Sequence, residues 1–152
     1  MAESSEGLER LRRWVLIIGV AQVLFGCLVG LTPPESVSWF RGIVMAHIEF
    51  TANGVLMTVI GLVAREMKLA RSVLHLWFWT LVVGTWANGG AGLVAALTGK
   101  SSALMPTLNQ SFPPPGGTAS AVVTAMLTLS GVAIIVALLL TLWGLVRGTQ
   151  NA

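Results

Sequence analysis

Four long apolar runs, residues 14–31, 42–64, 73–97 and 119–146, leave this 152-residue chain very few ways to fold. A helix rising 1.5 Å per residue needs roughly 20 residues to cross about 30 Å of hydrocarbon, and each run is long enough to do so. Charged residues make up 10% of the chain, against about 25% in soluble proteins, and they cluster at the ends and in the short connections. The sequence therefore predicts an all-α integral membrane protein: one domain, a bundle of four transmembrane helices, with no separate soluble domain. A secretory signal fits the first run poorly, because the run is long and ends in Thr32-Pro33-Pro34-Glu35, a turn, instead of a small-x-small cleavage site.

Basic residues set the predicted orientation. Arg10, Arg12 and Arg13 precede the first span, Arg65, Lys68 and Arg71 join the second to the third, and Arg147 follows the fourth. The other two connections hold Arg41 and Lys100, so seven of nine positive charges fall on one side and both termini are expected to be cytoplasmic. A net charge of +3 raises the question of nucleic acid, but the basic residues follow topology and do not gather into a patch, so no nucleic-acid partner is expected. Trp14, Trp39, Trp77 and Trp143 lie near span ends, where indole rings favour the bilayer interface, and are expected to be anchors. The outer connection 98–118 is rich in proline and glycine and should cap or cover the outer side.

Polar groups inside hydrocarbon are costly, so their depth is informative. Counting about 1.5 Å per residue from the outer ends, Asn53 and Asn88 lie roughly 14 to 17 Å deep, Gln22 and Thr128 roughly 13 to 14 Å, and His47 and Glu49 about 8 and 10 Å. Gln22 and Thr128 read as hydrogen-bonding glue between helices. His47, Glu49, Asn53 and Asn88 read as a functional layer, because intramembrane ionisable residues mark sites by default. His75 lies at the opposite end, roughly 25 Å from His47 along the membrane normal, and reads as an interfacial side chain. His47 is a candidate metal or heme ligand, since a buried neutral imidazole needs a partner, with a helix carbonyl or hydroxyl as the plainer one. On a helical wheel Asn53 stands about 120° from His47, whereas Glu49 stands about 200° from His47 and one turn from Asn53 on the same face. One helix thus offers two functional faces, which a ring of subunits could share. Cys27 has no second cysteine to pair with, and the chain contains no heme-attachment motif.

These residues resemble a known family. Ala46-His47-Ile48-Glu49-Phe50-Thr51-Ala52-Asn53-Gly54 is similar to the A-H-x5-N-G pattern in the second span of bacterial styrene oxide isomerases. Trp86-Ala87-Asn88-Gly89-Gly90 resembles their third-span G-W-x-N-x-G, with the first glycine displaced to Gly84, and Asn109-Gln110-Ser111-Phe112-Pro113 resembles their N-Q-F-G-P-G loop. The resemblance covers roughly residues 40 to 130. It implies a homotrimer in the bacterial inner membrane, with heme b at each subunit interface and ferric iron acting as a Lewis acid. His47 takes the place of the axial ligand, Asn53 and Trp86 line the cofactor, and Asn53, Asn88 and Glu49 are the candidate catalytic residues. The implied reaction, in styrene degradation, is the Meinwald rearrangement of a small hydrophobic epoxide to an aldehyde. Two departures stand out: the family's tyrosine four residues after the third-span asparagine is replaced by Gly92, and Glu49 stands where the family has a small residue.

Two other classes fit the same residues. A noncatalytic heme or electron-transfer protein would want a second axial ligand, and no second histidine lies at the depth of His47. A cofactor-free transporter or structural subunit would be supported by an inverted repeat, which the two halves do not show.

Overall fold

The computed structural model describes residues 2–149, and the chain is helical almost throughout. Helix α1 spans Ala2–Val29, α2 Phe40–Val63, α3 Arg71–Thr98, the short α4 Pro106–Ser111 and α5 Ala121–Thr149. Four of them are long and apolar enough to cross a membrane, over Gly7–Val29, Phe40–Glu66, Arg71–Thr98 and Ala121–Gly148. Their outward surfaces carry Ile17, Val20, Leu24, Leu28, Val132, Ile135 and Leu139, all exposed, as a lipid-facing bundle requires.

Helix ends follow local chemistry. Helix α1 stops at Val29 ahead of Pro33 and Pro34, and Pro34–Ser36 forms a single 3-10 turn. Helix α3 ends in Gly99 at φ +66°, a left-handed cap that glycine adopts without strain. Helix α5 begins two residues later than the apolar run. The Ser120 hydroxyl accepts from the Val123 amide at 3.3 Å, and Ala119 is drawn off to pair with Ser102.

In lipid the hydrophobic effect does not drive helices together, so close approach through small residues must do so. Helices α1 and α2 run antiparallel with Gly19 against Thr58, Val23 against Gly54, Gly26 against Thr51 and Gly30 against His47, a register in which the paired residue numbers have a constant sum. Helices α2 and α3 meet at Gly92, where an added Cβ would lie 2.7 Å from the Ala46 nitrogen. Helix α5 packs on α3, where Trp77 Nε1 donates to Thr141 Oγ1 at 2.9 Å. Helix α2 is thus flanked by α1 on one side and α3 on the other, and this position decides where the functional residues go.

Two expectations about tryptophans are corrected. Trp77 is fully buried among Leu74, Phe78, Leu81 and Met57, and Trp39 is buried against Ala91, Ala95 and Val123. Both sit on the inward stripe of their helix ends, so packing takes them from the interface, while Trp14 and Trp143 remain exposed. The 98–118 connection, expected on the outer side, is an ordered cap. Ser101 and Gly117 are joined backbone to backbone, Ser102 Oγ meets Thr124 Oγ1 at 2.7 Å, and Asn109 Nδ2 donates to the Ser102 carbonyl at 2.8 Å.

Candidate functional site

His47 points from α2 toward α1. Its Nδ1 lies 2.8 Å from the carbonyl oxygen of Gly26. A carbonyl can only accept, so Nδ1 carries the proton, and in the neutral ring the lone pair is left on Nε2. The ring fits there because residue 30 has no side chain: a Cβ on Gly30 would lie 2.7 Å from Nδ1 and 3.1 Å from both Cγ and Cε1. Sequence reasoning missed Gly26 and Gly30. The signal was present in their spacing at the end of α1 and just beyond it, but it becomes meaningful only once the register to α2 is known.

Glu49, Asn53 and Asn88 meet on the opposite side of α2. Asn53 Nδ2 donates to Glu49 Oε2 at 3.3 Å, one helical turn away, and Asn88 Nδ2 reaches the same oxygen from α3 at 2.5 Å. Depth counting placed the two asparagines at one level, and the carboxylate of Glu49 joins them. Both amides spend a donor on one carboxylate oxygen. None of the hydrogen bonds among the described residues ends on Oε1.

Other candidates divide between structural and unresolved roles. Trp86 is half-buried where α1, α2 and α3 converge, its ring 5.7 Å from Phe25 and 5.5 Å from Phe50. Gln22 is fully buried but has no hydrogen-bond partner on either side-chain atom, and Thr128 bonds to the Thr124 carbonyl of its own helix. Neither is the interhelical glue expected of it: Thr128 is exposed and bonds within its own helix, and Gln22 makes no side-chain hydrogen bond among the described residues. His75 is exposed in the first turn of α3, its Nδ1 donating to the Arg71 carbonyl at 2.9 Å. Position 92 has no room for any side chain, so the family's tyrosine is absent from a closed helix contact and not from an open pocket.

A cleft of about 210 Å³ opens beside Glu49, between α2 and α4, lined by Arg41, Val44, Met45, Ile48, Glu49 and Leu108. Arg41 does not pair with Glu49 among the described residues. Its guanidinium lies over the Phe112 ring, 3.5 Å from the centroid, and ties the end of α4 to α2. Among the described residues no cluster of three or more His, Cys, Asp or Glu could hold a bare metal ion.

The chain as a whole resembles known proteins. The family model described as styrene oxide isomerase matches residues 11–146. The chain belongs to the styrene oxide isomerase family. Among curated proteins it is similar to hydroxylaminobenzene mutase HabB of Ectopseudomonas oleovorans, 29% identical over 135 residues, which is 89% of this chain and 81% of the relative. It is also similar to hydroxylaminobenzene mutase HabA of the same organism, 30% identical over 96 residues, 63% of this chain and 70% of the relative. No solved structure gives a significant match. This family member therefore stands among membrane isomerases and mutases, enzymes that rearrange a substrate without consuming a second one.

Proposed function

We propose that this chain is a heme b isomerase of the bacterial inner membrane that opens a bond to oxygen in a small aromatic compound and re-forms the product without water. The observation that carries this reading is the Nδ1–H of His47 on the Gly26 carbonyl, 2.8 Å away. Heme-ligating histidines are commonly oriented by such a second hydrogen bond, which leaves Nε2 as the donor atom. His47 would hold heme as a single ligand through Nε2, the ring nitrogen that the Gly26 carbonyl leaves free to donate its lone pair. When bound, ferric heme would supply a Lewis acid for the substrate's oxygen.

The remaining work falls to the chain's own residues. Helices α1 to α3 and the α4 cap keep water away, so that a cationic centre formed on bond opening rearranges instead of hydrating. Asn53 and Asn88 orient the polar end of the substrate, and Glu49 Oε1 can hold or pass a proton. In the first reading the substrate is an aromatic epoxide: the carbon–oxygen bond opens, a hydride moves to the adjacent carbon, and an aldehyde results. A second reading is favoured by the two mutase relatives and by Glu49, where an arylhydroxylamine's oxygen moves from nitrogen to the ring. That rearrangement must also take a proton from ring carbon and return one to nitrogen, a task suited to a carboxylate.

His47 faces α1, while Glu49 and Asn53 face α3, from which Asn88 meets them. Both sets could serve one cofactor if His47 of one subunit met the carboxamide cluster of its neighbour, as in the homotrimer we propose, and the placement of the basic residues favours both termini in the cytoplasm. The test is the visible spectrum of detergent-purified protein, wild type beside His47→Ala, before and after dithionite. Parallel assays follow aldehyde from an aromatic epoxide and aminophenol from an arylhydroxylamine. A Soret band lost in the variant, with one product formed, is the expected result. A colourless wild type that takes up no hemin refutes it.

A further inference from the structure

The cleft beside Glu49 has a chemistry of its own. Its walls are Val44, Met45, Ile48 and Leu108, and its polar groups are Arg41 and Glu49. Arg41 is stacked on Phe112 and can only donate, which leaves the Glu49 carboxylate as the side-chain acceptor the cleft offers a guest. Pockets for drug-sized ligands occupy roughly 300 to 1,000 Å³. At about 210 Å³ this one suits a single aromatic ring with one small head group.

The orientation of Glu49 is fixed. Asn53 and Asn88, from two helices, both donate to Oε2, so the carboxylate cannot rotate without losing both. Oε1 is left as an acceptor. Epoxides and ethers carry acceptors alone and gain nothing from such an oxygen, whereas an N–H or O–H head group does.

We propose that this cleft is the substrate-recognition pocket, taking a single-ring arene whose head group donates a hydrogen bond, with Glu49 as the specificity-determining residue. The proposal rests on the second, arylhydroxylamine reading above in one respect, that the guest is the substrate of that reaction. Discrimination between a donor-bearing guest and its isostere follows from one charge-assisted hydrogen bond, about 10- to 100-fold. The variant Glu49→Gln makes a sharper demand. The two asparagine donors require an oxygen at the Oε2 position, so the glutamine must turn its NH₂ to the cleft and the donor preference must vanish.

The experiment is ¹⁹F NMR binding to the detergent-purified full chain with 4-fluoroaniline and 4-fluorotoluene, probes of nearly equal size and shape. Wild type is expected to hold the aniline 10- to 100-fold more tightly than the toluene. Glu49→Gln is expected to bind both equally. Val44→Phe, which fills the cleft, is expected to bind neither above the detergent background. Equal binding by wild type, or a preference that survives Glu49→Gln, overturns the proposal. The Soret band of the same samples reports the heme reading independently. Donor preference without a Soret band keeps the pocket and removes the heme, and a Soret band without preference does the reverse.

Discussion

Replacing Gly30 with alanine tests how the structure prepares His47. The new Cβ would lie 2.7 Å from Nδ1, and ordinary contact begins near 3.4 Å, so the imidazole must retreat by about 0.7 Å. Gly30 follows directly on α1 and donates its N–H to the Gly26 carbonyl at 3.0 Å, so retreat from one is retreat from the other. The 2.8 Å hydrogen bond stretches to about 3.5 Å, beyond useful length. Losing a buried hydrogen bond and leaving its donor unpaired costs about 1 to 3 kcal/mol. Removal of such an orienting partner typically weakens metal affinity about 10- to 100-fold. Hemin titration of detergent-purified apoprotein, followed at the Soret band, should show Gly30→Ala in that range below wild type. Gly131→Ala is the internal control: nothing lies within 4 Å of a Cβ there, and its affinity should equal wild type. A folded Gly30→Ala protein with unchanged affinity and an unchanged band would refute the idea that the α1 carbonyl orients His47.

Three further outcomes are expected. Asn88→Ala removes the donor that α3 gives Glu49 while leaving the α1 side of α2 untouched, so turnover should fall about 10- to 100-fold with the Soret band intact, measured on one preparation. Trp77→Phe deletes a buried indole and its bond to Thr141 and should lower detergent stability by about 1 to 2 kcal/mol in thermal unfolding, whereas Trp14→Phe, exposed to lipid, should leave the transition in place. Gly92→Ala drives a methyl into the Ala46 backbone and should cost about 1 to 3 kcal/mol by the same assay, more than the filling of an empty pocket would.

The division between α1-facing and α3-facing residues was legible in part. A wheel count put Glu49 and Asn53 on one face and His47 on another, and depth counting levelled Asn53 with Asn88, because helical rise and twist are fixed by the backbone. The carboxylate bridging two asparagines was not legible, since two spans at equal depth still need a rotation about each axis to meet. Trp77 misled for the same reason: proximity to a span end says nothing about which side of the helix the residue occupies.

The four spans and a polar layer in the half of the bundle nearer the 98–118 connection were readable from the chain alone, because it must satisfy its own backbone in lipid and polar groups there are too costly to be incidental. The tertiary structure alone decided what each polar group touches. Glycines at 26 on one helix, at 30 directly after it and at 92 on another helix set how closely α2 is approached on each side. That spacing, a property of pairs of helices and invisible in any single one, sends His47 to a carbonyl of α1 and Glu49 to the amides of α2 and α3.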